Sequence, residues 1–372
     1  KQRGDAMYAR DEYGPERIIE VFDAKSGMQG VLVLDNLARG PGKGGMRFVP
    51  DITTGEVMGL ARAMTWKNAL AEIPFGGAKA GIRGDPKKVD KEAYMRAFAR
   101  AIKKYIPEEY IAGPDMNTTE AEMAVFSDEI GRLDACTGKP ASMGGLPHEL
   151  GSTGYGVAKS AIVAAEFSKI PIENMTVAIE GFGNVGTFTM KFLAKKGAKI
   201  IAVSDSKGTI YNEKGLNYGE LMETKAKHGT VTALKGGKVL AAEALFGINA
   251  DVLIPGARPN VITEKNAGQV KAKIIVEAAN IPIPVEVEKG LSKRGVLVIP
   301  DFVANAGGVI SSYAELRGMD SEEMFALVKS KIKKNTALVL ERMKGNDVRA
   351  SAMEIARERV EDAMEKRGKR KA

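Results

Sequence analysis

A two-domain α/β chain is predicted by three observations. A strand, a glycine-rich turn and a helix follow one another without a gap over residues 175–193, and a further strand comes next at 200–204. Three more strand-like runs, Asp251-Val252-Leu253-Ile254, Ile274-Ile275-Val276-Glu277 and Val296-Leu297-Val298-Ile299, recur at about 22-residue intervals, the rhythm of βαβ units. A Gly-, Pro- and Ser-rich stretch without periodicity, 137–154, separates this half from an earlier series of strands and helices. The 372 residues are enough for two cores. The predicted domains are 1–150, joined by the charged helical C-terminus 325–372, and 151–324, with the C-terminal helices packing back on the first domain.

In chain order, residues 15–24 are predicted to form a short helix, with Pro15 at its start and Ile18, Ile19 and Phe22 on one side. Val31-Leu32-Val33-Leu34 reads as a strand. Gly40-Pro41-Gly42-Lys43-Gly44-Gly45-Met46-Arg47-Phe48 then sets a lysine among glycines. Thr53 and Glu56 form a capping box for a helix running to about residue 72. Its apolar stripe, Val57, Leu60, Met64 and Ala71, includes Lys67 by spacing and so predicts a buried lysine. Such an ammonium needs an anion, unless it snorkels to water or pairs with an acidic side chain.

Directly afterwards, Pro74-Phe75-Gly76-Gly77-Ala78-Lys79-Ala80-Gly81 reads as a loop of small residues around one lysine. Small residues let a ligand approach and deny Lys79 water. Desolvation, with Lys67 nearby, would lower its pKa and make it a base, whereas the plain alternative is a surface turn. After Asp90 comes a helix with Tyr94, Phe98, Ala101 and Tyr105 on one face. Tyr110 to Asn117 reads as a strand broken at Gly113-Pro114, with Asp115 at its end, where functional groups project. Thr119 and Glu122 supply a capping box for the next helix, so Asp115 is not needed as its cap.

A helix is predicted over 156–167. The strand Met175-Thr176-Val177-Ala178-Ile179-Glu180 then runs into Gly181-Phe182-Gly183-Asn184-Val185-Gly186, and Asp205 closes the next strand 19 positions beyond Gly186. A GxGxxG alone is weak, but between a strand and a helix, with a following acid, it is a dinucleotide fingerprint. Gly181, Gly183, Asn184, Val185 and Gly186 would hold the pyrophosphate at the helix N-terminus, and Asp205 the adenosine ribose. The second domain is therefore a Rossmann-type doubly wound sheet. Asp205 favours NAD by the simple rule, whereas Ser204, Ser206 and Lys207 leave NADP open. The later strand ends, Gly256, Ala278-Ala279-Asn280 and Asp301, fall where ligands bind in such sheets. Asn305-Ala306-Gly307-Gly308 opens a helix carrying Ser311, Ser312 and Tyr313, for which capping and close packing are the plain alternative.

Composition removes several function classes. The net charge is +8, but Lys and Arg are interleaved with acids except in the tail Lys366-Arg367-Gly368-Lys369-Arg370-Lys371, and no nucleic-acid-binding signature occurs. One cysteine, Cys136, allows no internal disulfide and fits a cytoplasmic protein. Two isolated histidines, His148 and His228, make no metal cluster, and no metal is expected. No apolar run reaches membrane-spanning length, and the polar first residues resemble no signal peptide. A nicotinamide cofactor implies hydride transfer. Lys43 and Lys79 among glycines, Lys67 on the intervening helix, and Asp115 together suit an anionic amino acid as substrate.

Gly42-Lys43-Gly44-Gly45-Met46-Arg47-Phe48, Met64-Thr65-Trp66-Lys67, residues 74–81, Gly113-Pro114-Asp115, residues 181–186 and Asn305-Ala306-Gly307-Gly308-Val309 together resemble the ordered motifs of the glutamate dehydrogenases. These share a superfamily with the leucine and phenylalanine dehydrogenases, and the resemblance covers nearly the whole chain. It implies that Lys79 is the catalytic lysine and Asp115 the proton-exchanging aspartate. It further implies that Lys67 holds the α-carboxylate, that Lys43 and Ser312 hold the side-chain carboxylate, and that Asn305 lies by the substrate. Thr153 and Asn280 are implied near the nicotinamide. The implied reaction is reversible oxidation of L-glutamate by NAD or NADP to 2-oxoglutarate and ammonium, in a homohexamer, with unprotonated Lys79 activating water while Lys43 and Lys67 stay charged.

Branched-chain relatives resemble the family in the lysine segment but carry an apolar residue where Lys43 stands. Another amino-acid dehydrogenase, for leucine, valine or phenylalanine, is the nearest alternative. A non-catalytic dinucleotide-binding regulator is the more distant one. Two departures from the family pattern are Ala80, where glycine is common, and the stretch Met143 to Ser152 before Thr153.

Overall fold

The computed structural model describes residues 10–147 and 150–371. Contacts divide the chain into one unit of Lys1–Leu150, Val309–Met324 and Ile355–Ala372, and another of Gly151–Gly308 and Phe325–Glu354.

The first unit contains β1 (Arg17–Asp23), β2 (Met28–Asn36), β3 (Gly42–Lys43), β4 (Met46–Val49), α1 (Thr54–Leu70), β5 (Gly76–Arg83), α2 (Lys91–Ile102), β6 (Tyr110–Ile111) and α3 (Glu120–Ile130). Its sheet runs β1-β2-β5-β3-β6, with β4 also paired to β5. The predicted helix at 15–24 is instead the edge strand β1, paired antiparallel with β2 from Arg17↔Leu34 to Asp23↔Met28. Its β-branched residues suit a pleat: Ile19 and Val21 pack on one side of the sheet and Ile18 on the other.

The predicted loop at 74–81 is largely strand β5, bonded to β2, β3 and β4. Strand alternation explains its small residues. Ala78, Ala80 and Ile82 point into the core with Leu32, Leu34, Phe48 and Phe98. Gly77, Lys79 and Gly81 point the other way, under α1. There a Cβ on Gly77 would lie 2.0 Å from Thr65 Oγ1, and one on Gly81 2.9 Å from Ile52 and Val57. Ala80 thus departs from glycine on the face away from Lys79, where its methyl is wholly buried.

Helix α1 has Thr53 as its N-cap, Glu56 N–H donating to Thr53 Oγ1 at 3.1 Å, but the expected capping box is only half formed, because the Glu56 carboxylate pairs with Arg47 instead. Its deeply buried face is Val57, Ala61, Thr65 and Asn68, rather than the predicted stripe through Leu60, Met64 and Lys67, which are half-buried. The small side chains at Ala61 and Thr65 let the helix close on β5, and that rotates Lys67 to the flank. The reciprocal Thr119–Glu122 capping box of α3 is present as predicted.

The second unit contains α4 (Ser152–Phe167), β7 (Thr176–Glu180), α5 (Asn184–Ala194), β8 (Lys199–Asp205), β9 (Gly208–Tyr211), α6 (Tyr218–His228), β10 (Lys238–Leu240), β11 (Val252–Pro255), α7 (Glu264–Ala267), β12 (Ile274–Val276), α8 (Val285–Lys293), β13 (Leu297–Ile299) and α9 (Asp301–Ala304). The sheet order is β10-β9-β8-β7-β11-β12-β13. The five strands from β8 to β13 are parallel, and β9 and β10 extend them antiparallel. The order reverses at β7, so the crevice of this doubly wound sheet opens beside Gly181.

Helices α10 (Gly307–Leu316), α11 (Ser321–Glu341) and α12 (Val348–Lys371) finish the chain. By contacts, 309–324 go with the first unit and 325–354 with the second, the reverse of the expected 151–324 and 325–372, and of the C-terminal helices only 355–372 join the first unit as expected. The side chains show why. Glu315 pairs with Lys139, whereas Ser160 meets Thr336 and Arg349 meets Glu277. The end of α12 packs back on the first unit: Arg359 Nη1 donates to the carbonyls of Ala69 and Leu70 at 3.1 and 2.6 Å, closing the C-terminus of α1.

Candidate active site

Lys79, in β5, and Asp115, in the irregular segment that follows β6, meet. Lys79 Nζ lies 2.5 Å from Asp115 Oδ2, with Arg47 Nε 3.5 Å from the same oxygen. Glycine makes the approach possible, because a Cβ on Gly45 would fall 2.6 Å from Pro114 O and 2.8 Å from Asp115 Cβ. Thr118 fixes the aspartate from below, accepting from Asp115 N–H at 2.8 Å and donating to Met46 O at 2.7 Å. Burial pushes the Asp115 carboxyl up, but the Lys79 ammonium and then Arg47 outweigh it and hold the group below its ordinary range.

Lys43 lies in β3 and is 3% exposed. Its ammonium donates to Ala112 O at 2.7 Å, its one hydrogen-bond partner among the described residues, and no carboxylate pairs with it there. Burial lowers its pKa from 10.5 to about 8, with Lys79 and Lys139 adding repulsion against the attraction of Glu315. Lys79, by contrast, stands in an ion pair with Asp115. Lys67 is half-buried in the last turn of α1, and Ser312 is half-buried on α10. Two contacts hold the Ser312 helix to this region. Tyr313 meets Phe75 edge-on at 5.8 Å, and Glu315 accepts from Lys139 Nζ at 2.6 Å and from Gly138 and Leu146 N–H.

In the second unit the glycine turn has the form a pyrophosphate needs. Gly181 has φ +91°, a Cβ on Gly186 would fall 1.9 Å from Gly181 O, and a Cβ on Gly183 would meet nothing within 4 Å. Asn184 and Val185 open α5, whose N-terminus has no side-chain cap, so its N–H groups suit an anion. These residues fit a dinucleotide. Thr153 lies in the first turn of α4, which begins four residues before the predicted start. A Cβ on Gly308 would lie 3.1 Å from its hydroxyl, so Gly308 leaves that oxygen room. Asn305 and Asn280 meet: Asn305 Nδ2 donates to Asn280 Oδ1 at 3.1 Å and to Ala278 O at 3.2 Å.

Asp205 closes β8 as predicted, but its carboxylate is already engaged. Lys225 Nζ donates to Oδ2 at 2.6 Å and Val231 N–H at 2.9 Å, while Thr230 Oγ1 and Lys207 N–H donate to Oδ1. Burial raises this carboxyl, yet Lys225 and the two backbone N–H groups leave it lowered overall.

Sequence reasoning missed other groups. Arg47 was visible only as part of a motif. Glu277, which ends an apolar strand, is wholly buried and shares Arg349 with Glu288 and Asp301. Burial, then Asp301 and Glu288, raises the Glu277 carboxyl well above its ordinary range. Asp301 Oδ2 in turn accepts from Ile281 N–H, next to Asn280. Charged residues closing apolar runs were the available signal. Among the described residues no group of His, Cys, Asp or Glu is arranged to hold a metal, and no helix is long and apolar enough to cross a membrane.

Residues 15–132 match the family model for the Glu/Leu/Phe/Val dehydrogenase dimerisation domain, and residues 144–368 that for Glutamate/Leucine/Phenylalanine/Valine dehydrogenase. The chain is 42% identical to the glutamate dehydrogenase of Aeropyrum pernix, covering 90% of this chain and 85% of that protein. It is 40% identical to the NADP-specific glutamate dehydrogenase of Saccharolobus shibatae, covering 95% and 90%. Among solved structures it resembles the glutamate dehydrogenase of Peptoniphilus asaccharolyticus (TM-score 0.83, 31% identity, 95% and 92% covered). It also resembles the leucine-bound, hetero-hexameric glutamate dehydrogenase of Thermus thermophilus (TM-score 0.83, 30% identity, 95% and 90% covered).

Proposed function

The chain belongs to the glutamate/leucine/phenylalanine/valine dehydrogenase family, and from that premise we infer that it is a glutamate dehydrogenase using NAD or NADP. The observation that carries the choice of glutamate is Lys43, an ammonium 3% exposed with a single carbonyl partner and no acidic one among the described residues. A buried cation in that condition is stabilised by an anion brought from outside, and the side-chain carboxylate of glutamate is one. An apolar amino acid would leave it unpaired.

In this reading Lys43 and Ser312 hold the side-chain carboxylate, Lys67 the α-carboxylate, and Asn305 lies beside the substrate. The glycine turn with Asn184 and Val185 binds the pyrophosphate, Asp205 stands at the adenosine end, and Thr153 and Asn280 flank the nicotinamide. When bound, the nicotinamide supplies the acceptor for the hydride leaving the substrate α-carbon. Lys79 then takes a proton from the water that attacks the resulting iminium carbon, and for this it must first give up its own proton. Asp115, 2.5 Å away, is the group in reach to receive it and to return it to the departing ammonia. Arg47 and Thr118 keep Asp115 aimed at Lys79. The reverse sequence is reductive amination of 2-oxoglutarate.

A cytoplasmic homohexamer completes the proposal. It is supported by the dimerisation-domain match, by the hexameric relative, and by a lone buried thiol, Cys136. The test is an absorbance assay with 2-oxoglutarate, ammonium and either NADH or NADPH. Consumption of reduced cofactor is expected, as is a preference for glutamate over leucine, phenylalanine and valine in the oxidative direction. No consumption with either cofactor rejects the activity, and a preference for an apolar amino acid rejects the role given to Lys43. Light scattering on the purified protein reads the oligomer.

A further inference from the structure

Ile281 has a backbone φ of +48°, in the left-handed region. A β-branched residue is an outlier there, and the conformation disfavours it by about 5- to 30-fold. Packing does not offset this, because the side chain is 55% exposed. Two hydrogen bonds to its backbone do. Ile281 N–H donates to Asp301 Oδ2 at 3.0 Å, and Ile281 O accepts from Asn260 N–H at 3.0 Å. The strained residue follows β12, one position beyond Asn280. Its segment adjoins the glycine turn: a Cβ on Gly256 would lie 3.4 Å from Ala278 Cβ, and one on Gly181 3.0 Å from Ala257. Asp301 holds this corner from a second side. Its carbonyl accepts from Asn305 N–H at 2.8 Å, and Asn305 Nδ2 donates to Asn280 Oδ1 at 3.1 Å. Asp301, Ile281, Asn280 and Asn305 thus close a ring. Asp301 is itself fixed. Its N–H donates to Glu277 Oε2 at 2.9 Å, and Arg349 Nη2 lies 3.4 Å from its Oδ1 and 3.0 Å from Glu277 Oε2.

We propose that Asp301 is a positioning residue: its carboxylate holds Ile281 in the left-handed conformation and thereby presents Asn280 to the nicotinamide end of the bound cofactor. The proposal rests on the placement of Asn280 beside the nicotinamide given above. Asp301 acts through Asn280 and not on the cofactor itself. Backbone strain kept at a ligand-binding segment has to be held by its surroundings, and here the carboxylate is the holder. Freed from Asp301, Ile281 relaxes to negative φ, and the peptide that follows Asn280 turns with it. Fewer molecules then carry the competent segment, and the apparent affinity for the nicotinamide falls by that fraction. Glycine adopts φ of either sign about equally, so a chain with glycine at position 281 needs the clamp far less.

The test compares Asp301→Ala, Ile281→Gly and the double variant, each first shown to be folded by a thermal melt. Affinity for NADH or NADPH, whichever the parent consumes, is read by fluorescence of the reduced nicotinamide. The adenosine half alone is probed by calorimetry with ADP-ribose or its 2′-phosphate. Asp301→Ala is expected to weaken the reduced cofactor about tenfold and to leave the adenosine half within about twofold. Ile281→Gly should stay within about threefold of the parent, and adding Asp301→Ala to it should cost no more than about threefold. Equal losses from Asp301→Ala in the two backgrounds would mean that Asp301 only supports the fold, and would overturn the proposal. Equal losses on the cofactor and on ADP-ribose would overturn it in the same way, as would an unchanged cofactor affinity in Asp301→Ala. If Asp301→Ala does not fold, Asp301→Asn takes its place, because one amide oxygen cannot serve both Ile281 and Arg349, and the same comparisons decide. A parent that binds ADP-ribose but neither reduced cofactor any more tightly would instead remove the underlying placement of Asn280.

Discussion

Replacing Lys43 with methionine should make the protein more stable and nearly inactive on glutamate. The Lys43 side chain is only 3% exposed, and burial lowers its pKa from 10.5 to about 8. That drop corresponds to about 3 kcal/mol of native-state penalty on the charged form. Between about pH 8 and 10.5 the unfolded chain holds a proton that the folded chain has released, so stability rises with pH through that window. The penalty is fully present below pH 8. Methionine removes it and forfeits the bond to Ala112 O, worth about 1 kcal/mol, leaving a net gain of about 2 kcal/mol at pH 7. For a chain of this size that raises Tm by roughly 2–4 °C, and the rise should fade as the pH approaches 10.

On the activity side, a substrate carboxylate buried without its cation costs about 3–5 kcal/mol. The glutamate kcat/KM should fall by about a hundredfold to a few thousandfold, with norvaline spared. In the parent enzyme, glutamate kcat/KM should also decline above about pH 8, as Lys43 loses its proton and its hold on the carboxylate. Thermal melts at pH 7 and 10 and steady-state rates on both amino acids check these outcomes. A lower Tm at pH 7, or a glutamate kcat/KM within tenfold of the parent, would refute the reasoning.

Three other substitutions probe the remaining charged groups. Lys79→Ala should lower kcat by about a hundredfold to ten-thousandfold while cofactor binding, followed by fluorescence of the reduced nicotinamide, is kept; substantial residual turnover would take Lys79 out of the base role. Arg349→Met should cost about 3–5 kcal/mol, because Glu277, Glu288 and Asp301 lose their shared cation. Since the Glu277 carboxyl is raised in the folded state, the loss should be larger at pH 8 than at pH 5, and melts at the two values read it. Lys225→Ala frees the Asp205 carboxylate for a ribose diol and should raise the ratio of NAD to NADP kcat/KM about tenfold; an unchanged ratio would show that Asp205 does not read the ribose.

The α/β class, the doubly wound sheet and the candidate residues were legible because their signals are local. The fingerprint needs only a strand, a glycine turn and a helix in succession, and residues 176–194 supply them in order. The Thr119–Glu122 capping box is likewise a four-residue event. Reading failed where a partner strand decides. Residues 15–24 carry apolar spacing compatible with a helix, and pairing with β2 makes them a strand. Gly76 to Gly81 looks like a loop by composition, and is a strand because α1 needs small residues beneath it. The C-terminal helices show no sequence mark for where their contacts change unit.

For the site itself, the sequence alone determined which groups could do the chemistry: two lysines in glycine-rich segments, a third on a helix, an aspartate, and a strand–turn–helix for a dinucleotide. Only the tertiary structure decided their states. It placed Lys79 against Asp115, committed Asp205 to Lys225, and buried Lys43 so that its pKa falls. The reason is physical. Glycine spacing tells where a backbone can come close, but charge state and hydrogen-bond satisfaction depend on what arrives from distant parts of the chain.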